Sequence, residues 1–282
     1  MKLLRYGPPG QEKPALLDDQ GRLRDLSAVI GDLGPEQLND AALDRLRHLA
    51  VNELSLVGGE PRLGSPVTGI RKFIAIGLNY ADHAAETGAP IPAEPIFFMK
   101  ANSCIQGPGD ELMLPRGSAK TDWEVELGVV IGKRARYVPE DEALAHVAGY
   151  CVANDVSERE FQLERGGTWD KGKGCDTFGP LGPWLVTRDE VPDPQQLTLW
   201  LDVNGQPRQR GNTQTMIFSV AHLISYVSQF MTLEPGDVIT TGTPPGVGMA
   251  MKPPTFLKEG DVVTLGVQGL GEQRQRVVAF RL

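Results

Sequence analysis

The stretch 121–132, TDWEVELGVVIG, constrains this chain more than any other. Read as a strand, it points Trp123, Val125, Leu127, Val129 and Ile131 to one face and supplies an apolar surface. Glu124 and Glu126 point the other way. Strand geometry sets the two carboxylates ~7 Å apart on one face. At that spacing they repel each other unless a proton or a cation lies between them. A solvated edge strand would also carry such a pair, so the choice depends on what else the chain brings to it.

The chain has 282 residues, enough for one large domain with an appendage or for two domains. Hydrophobic residues make up 40%, which permits a sizeable core. Lys plus Arg number 28 against 36 Asp plus Glu, a net charge of −8. A net anion is repelled by nucleic acid and by anionic membranes, so neither is expected as the main partner. Cys104, Cys151 and Cys175 are odd in number and far apart, with no CxxC, and read as reduced thiols. The opening MKLLRYGPPGQEKP carries no apolar signal-peptide core, and no apolar run approaches ~20 residues, so a cytoplasmic location is expected. The 33 glycines and 22 prolines point to many turns between short strands.

Taken in order, residues 1–66 read as a small leading domain. MKLLRYG and KPALLDD are short strands, and a helix is predicted from Pro35 through Leu49, with His48 near its end. The Gly/Pro-rich run 58–69 marks the boundary, and 67–282 form the second domain. RKFIAIG, 71–77, is a buried strand. Asn79 is predicted to cap a short helix that Gly88 ends, and this helix puts His83 and Glu86 on one face. Residues 80–95 are expected to act as a lid. IFFMK, 96–100, is a further strand ending in Lys100. Asp155 lies at the end of the strand in GYCVANDVSERE, and Ser157-x-x-Glu160 reads as a capping box opening a helix. The loop 167–174 follows Gly-x-x-x-x-Gly-Lys, but Gly174 stands where a phosphate-binding loop needs Ser or Thr and no strand precedes it, so that reading is rejected. LTLWLDVNGQPRQ is a hairpin around Asn-Gly. MIFSVAHLISYVSQF is a helix with one buried face and His222 off it. His146 reads as structural.

Glu124, Glu126 and Asp155 offer three hard oxygen ligands with no Cys or His beside them. That donor set selects Mg²⁺ or Mn²⁺, with Ca²⁺ as a non-physiological occupant, over zinc. His83 with Glu86 has the form of a general base and its orienter. Lys100 and Lys173 are candidate holders of an anionic substrate.

NYADHAAE, WEVELGVVIG, ANDVSERE, WDKGKGCDTFGPLGPW and TGTPPGVG occur in this order. In that order they resemble the fumarylacetoacetate hydrolase family over about residues 70 to 280. The resemblance implies an α+β, β-rich fold: a mixed β-roll or sandwich catalytic domain with flanking helices. It implies a divalent metal on Glu124, Glu126 and Asp155, a base pair at His83 and Glu86, and a homodimer. The resemblance also implies an active-site lysine four residues after the Trp and three before the Asp of the family's Trp-loop pattern, which is Lys173, between Trp169 and Asp176, and leaves Lys171 as a neighbour. Thr243 matches a substrate-contacting position, and Asp176 and Gln162 join it as candidate substrate contacts.

Many short-acylpyruvate hydrolases of the family carry Arg before the Asn-Tyr pair, where this chain has Leu78. The wording GLNYADHA and VSEREFQ is similar to the branch that holds diketo sugar-acid hydrolases and proteins labelled ureidoglycolate lyase. The implied activity is metal-dependent hydrolysis of the C3–C4 bond of a 2,4-diketo acid. The first candidate is 2,4-diketo-3-deoxy-L-rhamnonate, giving pyruvate and lactate. Ureidoglycolate lyase, oxaloacetate decarboxylase and a ketonising isomerase are the alternatives on the same fold, and a non-catalytic metal- or ligand-binding protein is the alternative of another class. His83 and Glu86 favour hydrolysis, because only hydrolysis needs an activated water.

Overall fold

The computed structural model describes every residue except Ala89, with the side chain of Thr87 also outside the description. The strand Val125–Ile131 lies inside a sheet that has ten strands among the described residues. Its neighbours are Val147–Asn154 on one side and Val238–Thr240 on the other, both antiparallel to it. Every residue of Val125–Ile131 is buried, so the face that carries Glu126 is no solvated edge. Beyond these neighbours the sheet continues through Phe73–Gly77 to the edge strand Ile96–Lys100. On the other side it passes through Gly179–Thr187 to Lys2–Tyr6, Lys13–Leu17 and Leu23–Asp25. The strands of the leading segment therefore run on from the main sheet, with Leu3 opposite Leu185. One apolar core takes in Leu3, Leu16 and Leu26 together with Phe73, Leu127 and Ile239.

A second sheet has five strands, ordered Gln206–Asn212, Thr198–Val203, Val262–Val267, Gly271–Val278 and Leu112–Met113. The predicted hairpin is here. It turns on Asn204 and Gly205, each at positive φ (53° and 71°), the conformation that Asn-Gly tolerates. The helix Val220–Phe230 buries Val220, Leu223, Ile224 and Val227 and leaves His222 outside, paired with Glu140 at 2.9 Å.

Three local expectations are corrected. The predicted helix 35–49 is a turn at Pro35–Gln37 followed by the helix Asp40–Arg47, because the Asn39 side chain caps a new start by accepting from the Ala42 amide at 3.0 Å. Asn79 caps nothing. Its amide donates to the carbonyls of Phe218 (3.1 Å) and Thr241 (2.8 Å), and Tyr80 stands at the N-cap of the helix Ala81–Thr87 instead. Gly88 does end that helix, at φ 67°. The Ser157 capping box does not form. Ser157 pairs with Asp122 in a two-stranded ribbon, and the helix Arg159–Leu163 starts from Glu158.

Candidate active site

The antiparallel pairing of Val125–Ile131 with Val147–Asn154 builds the site. Glu126 lies opposite Ala153, and the Asp155 amide donates to the Glu124 carbonyl at 2.9 Å. Residues 31 apart in sequence thereby converge, and one oxygen each of Glu124, Glu126 and Asp155 lie within 4.8 Å of one another. All three side chains are buried. Sequence spacing placed two of them on one strand face; the strand register supplies the third.

Three buried cations answer these carboxylates. Lys173 Nζ lies 2.7 Å from Glu124 Oε2 and 2.8 Å from Asp155 Oδ2. Arg159 lies 2.7 Å from Glu124 Oε1 and 2.8 Å from Asp122 Oδ2. Lys100 donates to Asp155 Oδ1 and to the Lys173 carbonyl. Asp122 takes further hydrogen bonds from the amides of Gly248 (2.7 Å) and Met249 (3.0 Å). Burial opposes ionisation of Glu124, but Lys173 and Arg159 outweigh it and hold the carboxyl down at about 2. Glu126 goes the other way: burial, then the charges of Asp155 and Glu124, push it well above the usual range.

The donor set fits a hard divalent cation. Asp122, Glu124, Glu126 and Asp155 are four buried carboxylates against three buried cations, so one negative charge is left over. It falls on Glu126. Its Oε2 accepts from the Gly242 amide at 2.8 Å, while its buried Oε1 has no hydrogen-bond partner among the described residues. A buried carboxylate oxygen without a partner is costly, and an ion among the three carboxylates would satisfy it.

The other site residues arrive on short elements. His83 Nδ1 lies 3.1 Å from Glu86 Oε2 on the helix Ala81–Thr87. The Gly246 amide donates to both Glu86 oxygens at 3.1 Å. Only glycine fits at 246, at φ 106°, where a Cβ would stand 1.9 Å from the Arg208 carbonyl oxygen. The helix Asp170–Lys173 lies so close to Arg159–Leu163 that a Cβ on Gly172 would meet the Glu158 carbonyl at 2.3 Å. That contact carries Lys173 inward, while Lys171 bonds the Arg165 carbonyl at the surface.

His83, Glu124, Glu126, Gln162, Lys173 and Thr243 line one cavity of about 190 Å³. Thr243 Oγ1 donates to the Val125 carbonyl at 2.9 Å and accepts from Gln209 at 2.8 Å, which makes it a fixed part of the wall. Lys100 is not in the cavity. It is sealed beneath Asp155, so the expected substrate contact becomes support for a carboxylate. Asp176 is on an exposed turn away from the cavity. Asp122, Arg159, Trp169 and Met249 were missed by sequence reasoning. A signal for Arg159 existed: three buried carboxylates demand more cations than the two lysines considered.

A larger open cavity of about 880 Å³ lies elsewhere. The guanidiniums of its Arg5 and Arg62 are already held by Asp32 at 2.7 Å and Asp110 at 2.6 Å.

A carboxylate cradle near a histidine–glutamate pair, on a β-rich α+β frame, is the site of an enzyme of the hydrolase and isomerase class. Residues 72–278 match the fumarylacetoacetate (FAA) hydrolase C-terminal family, and the chain belongs to that family. A Burkholderia multivorans protein with a provisional hydrolase name is 66% identical over 282 residues, spanning 100% of both chains. The structure of fumarylacetoacetate hydrolase from Exiguobacterium antarcticum is similar at TM-score 0.86 and 34% identity, over 99% of this chain and 100% of that one. Maleylpyruvate hydrolase from Sphingobium sp. SYK-6, solved with manganese(II) and pyruvate, is similar at TM-score 0.82 and 28% identity over 100% of both.

Proposed function

We propose that the chain is a divalent-metal-dependent hydrolase that cuts the C3–C4 bond of a 2,4-diketo acid. The observation that carries this reading is the Oε1 of Glu126, without a hydrogen-bond partner among the described residues, in a cluster of three convergent carboxylates whose cavity also holds His83, itself bonded to Glu86. The manganese and pyruvate in the Sphingobium maleylpyruvate hydrolase support it. Glu124, Glu126 and Asp155 would hold Mg²⁺ or Mn²⁺, which supplies Lewis-acid stabilisation to the departing enolate.

His83, with Nδ1–H donated to Glu86, takes a proton from water at Nε2. The water oxygen bonds to C4, the C3–C4 bond breaks, and its electron pair leaves on the pyruvate enolate. The imidazolium returns its proton to C3. Lys173 keeps Glu124 ionised and holds Glu124 and Asp155 in place throughout. The products are pyruvate and the carboxylic acid built from C4 onward. The deoxyrhamnonate-derived diketo acid, which would give pyruvate and lactate, is the first member to assay. As the assembly we propose a cytoplasmic homodimer; a single-chain mass in sedimentation at micromolar concentration would contradict it.

The test is hydrolysis in ¹⁸O-labelled water with mass analysis of both products. Label in the carboxylate derived from C4 is expected. Carbon dioxide release, isomerisation without cleavage, or glyoxylate and urea from ureidoglycolate, with no diketo acid cut, refutes the scheme.

A further inference from the structure

The cavity also has an apolar lining, against which the part of an acylpyruvate beyond C4 would lie. It is formed by Ile76, Leu78, Leu163, Trp169 and Met249. The Trp169 ring lies against Gly77, where a Cβ would come within 2.5 Å of it, and packs edge-on to Phe98 with ring centres 5.3 Å apart. That lining is therefore set by close packing. Leu78 holds φ 52°, a left-handed conformation that leucine rarely adopts, and it does so at the cavity.

The cations lining this cavity are Arg159 and Lys173, and both are committed. Arg159 spans Asp122, Glu124 and, at 3.1 Å, Gln162; Lys173 spans Glu124 and Asp155. A second carboxylate on the substrate would give up water to leucine, methionine and indole with no uncommitted cation among the described lining residues to replace it. Burying a charge unpaired is strongly unfavourable.

Building on the acylpyruvate hydrolase reading, we propose that the enzyme selects acylpyruvates whose acyl group is short and uncharged, and that Leu78, Leu163 and Met249 set this specificity. The lactoyl group of the deoxyrhamnonate-derived acid, with one hydroxyl and one methyl, meets this limit. A dicarboxylic substrate such as maleylpyruvate does not.

The experiment uses a matched pair, butanoylpyruvate and succinylpyruvate, which differ in a terminal methyl against a terminal carboxylate. The metal-loaded enzyme should favour butanoylpyruvate by about 100-fold or more in kcat/KM. Leu163→Lys, at a half-exposed position on the rim, should raise kcat/KM for succinylpyruvate about tenfold or more, mainly through KM. Met249→Lys serves the same purpose if the first variant does not fold. Equal or better cleavage of succinylpyruvate by the unaltered enzyme overturns this inference and leaves the hydrolase reading standing. Cleavage of neither compound, nor of acetylpyruvate, removes the hydrolase reading and this inference with it. A succinylpyruvate rate that neither lysine moves, with both variants folded, overturns the assignment of the specificity residues.

Discussion

Two buried polar clusters meet at the backbone of Glu124 and Val125, and they are completed in different ways. The first is ionic: Asp122, Glu124, Glu126 and Asp155 with Lys100, Arg159 and Lys173. The second is neutral: Asn154, Gln209, Gln273 and Gln275, all at 2% exposure or less. Gln275 donates to the Pro108 carbonyl at 2.7 Å and to Gln273 at 2.9 Å, and accepts from Asn154 at 3.2 Å. Asn154 accepts from the Glu124 amide at 3.2 Å, and Gln209 from the Val125 amide at 2.9 Å. The amide cluster thus finds its partners within the chain. Among the described residues the ionic cluster leaves the carboxylate oxygen Glu126 Oε1 without a hydrogen-bond partner. A buried network that is satisfied internally rigidifies a fold, whereas one left short by a single charge is arranged for something that arrives from outside.

Removing ligands from the ionic cluster should have the largest effect. Glu124→Ala, Glu126→Ala and Asp155→Ala should each lower turnover on the order of 10³-fold or more, a scale set by lost electrostatic stabilisation. Titration with Mn²⁺ followed by electron paramagnetic resonance should show weakened binding in all three, and exhaustive chelation of the unaltered enzyme should abolish turnover reversibly. Retained activity in a sample shown to be metal-free ends the distinction between the two clusters.

Next in size is His83→Ala, with kcat lower by about 10²–10⁴-fold, the usual span for general acid–base catalysis. Its Mn²⁺ binding should survive, because His83 stands outside the three-carboxylate cradle. If wild-type hydrolysis persists, the base is another residue.

Gln209→Leu probes the neutral cluster. It strands the buried Val125 amide and should cost about 1–3 kcal/mol of stability in urea unfolding. Mn²⁺ affinity should change far less than in the ligand variants. A loss of metal binding as large as that of Glu126→Ala would show that the clusters are not separable.

The smallest effect expected is a gain. Glu126 has its pKa raised by folding, so in chelated protein it contributes stability below its unfolded value of about 4.3 and loses it as pH rises from there toward its folded value. Glu126→Gln removes that loss. Chelated Glu126→Gln should therefore be more stable than chelated wild type at pH 7–8, by on the order of 1 kcal/mol or about 2 °C in Tm, and should not gain from added metal. Equal melting curves across pH 5–8 would place the excess charge elsewhere.

The strand over 125–131, the Asn-Gly hairpin and the amphipathic helix 220–230 could be read from sequence because each depends on residues within a few positions of one another, whereas 121–122, read as part of the same strand, pair in a separate ribbon. The same holds for Glu124 with Glu126, two apart on a strand, and for His83 with Glu86, three apart on a helix. Where side chains had a choice of long-range partner, the reading failed. Asn79 has the chemistry of a cap, but it serves the carbonyls of Phe218 and Thr241, well over a hundred residues away.

By itself the sequence determined the donor chemistry: three carboxylates, a histidine–glutamate pair, and lysines in number. It also determined the periodicities that place most of them on strands and short helices. Only the tertiary structure decided which cation meets which carboxylate. Lys100 and Lys173 are alike as residues, yet one is sealed beneath Asp155 and the other faces the cavity between Asp155 and Glu124. Arg159 gained its role from a two-stranded ribbon that replaced a capping box. The physical reason is that a buried charge takes its energy from the few ångströms around it, and the register between distant strands sets those ångströms.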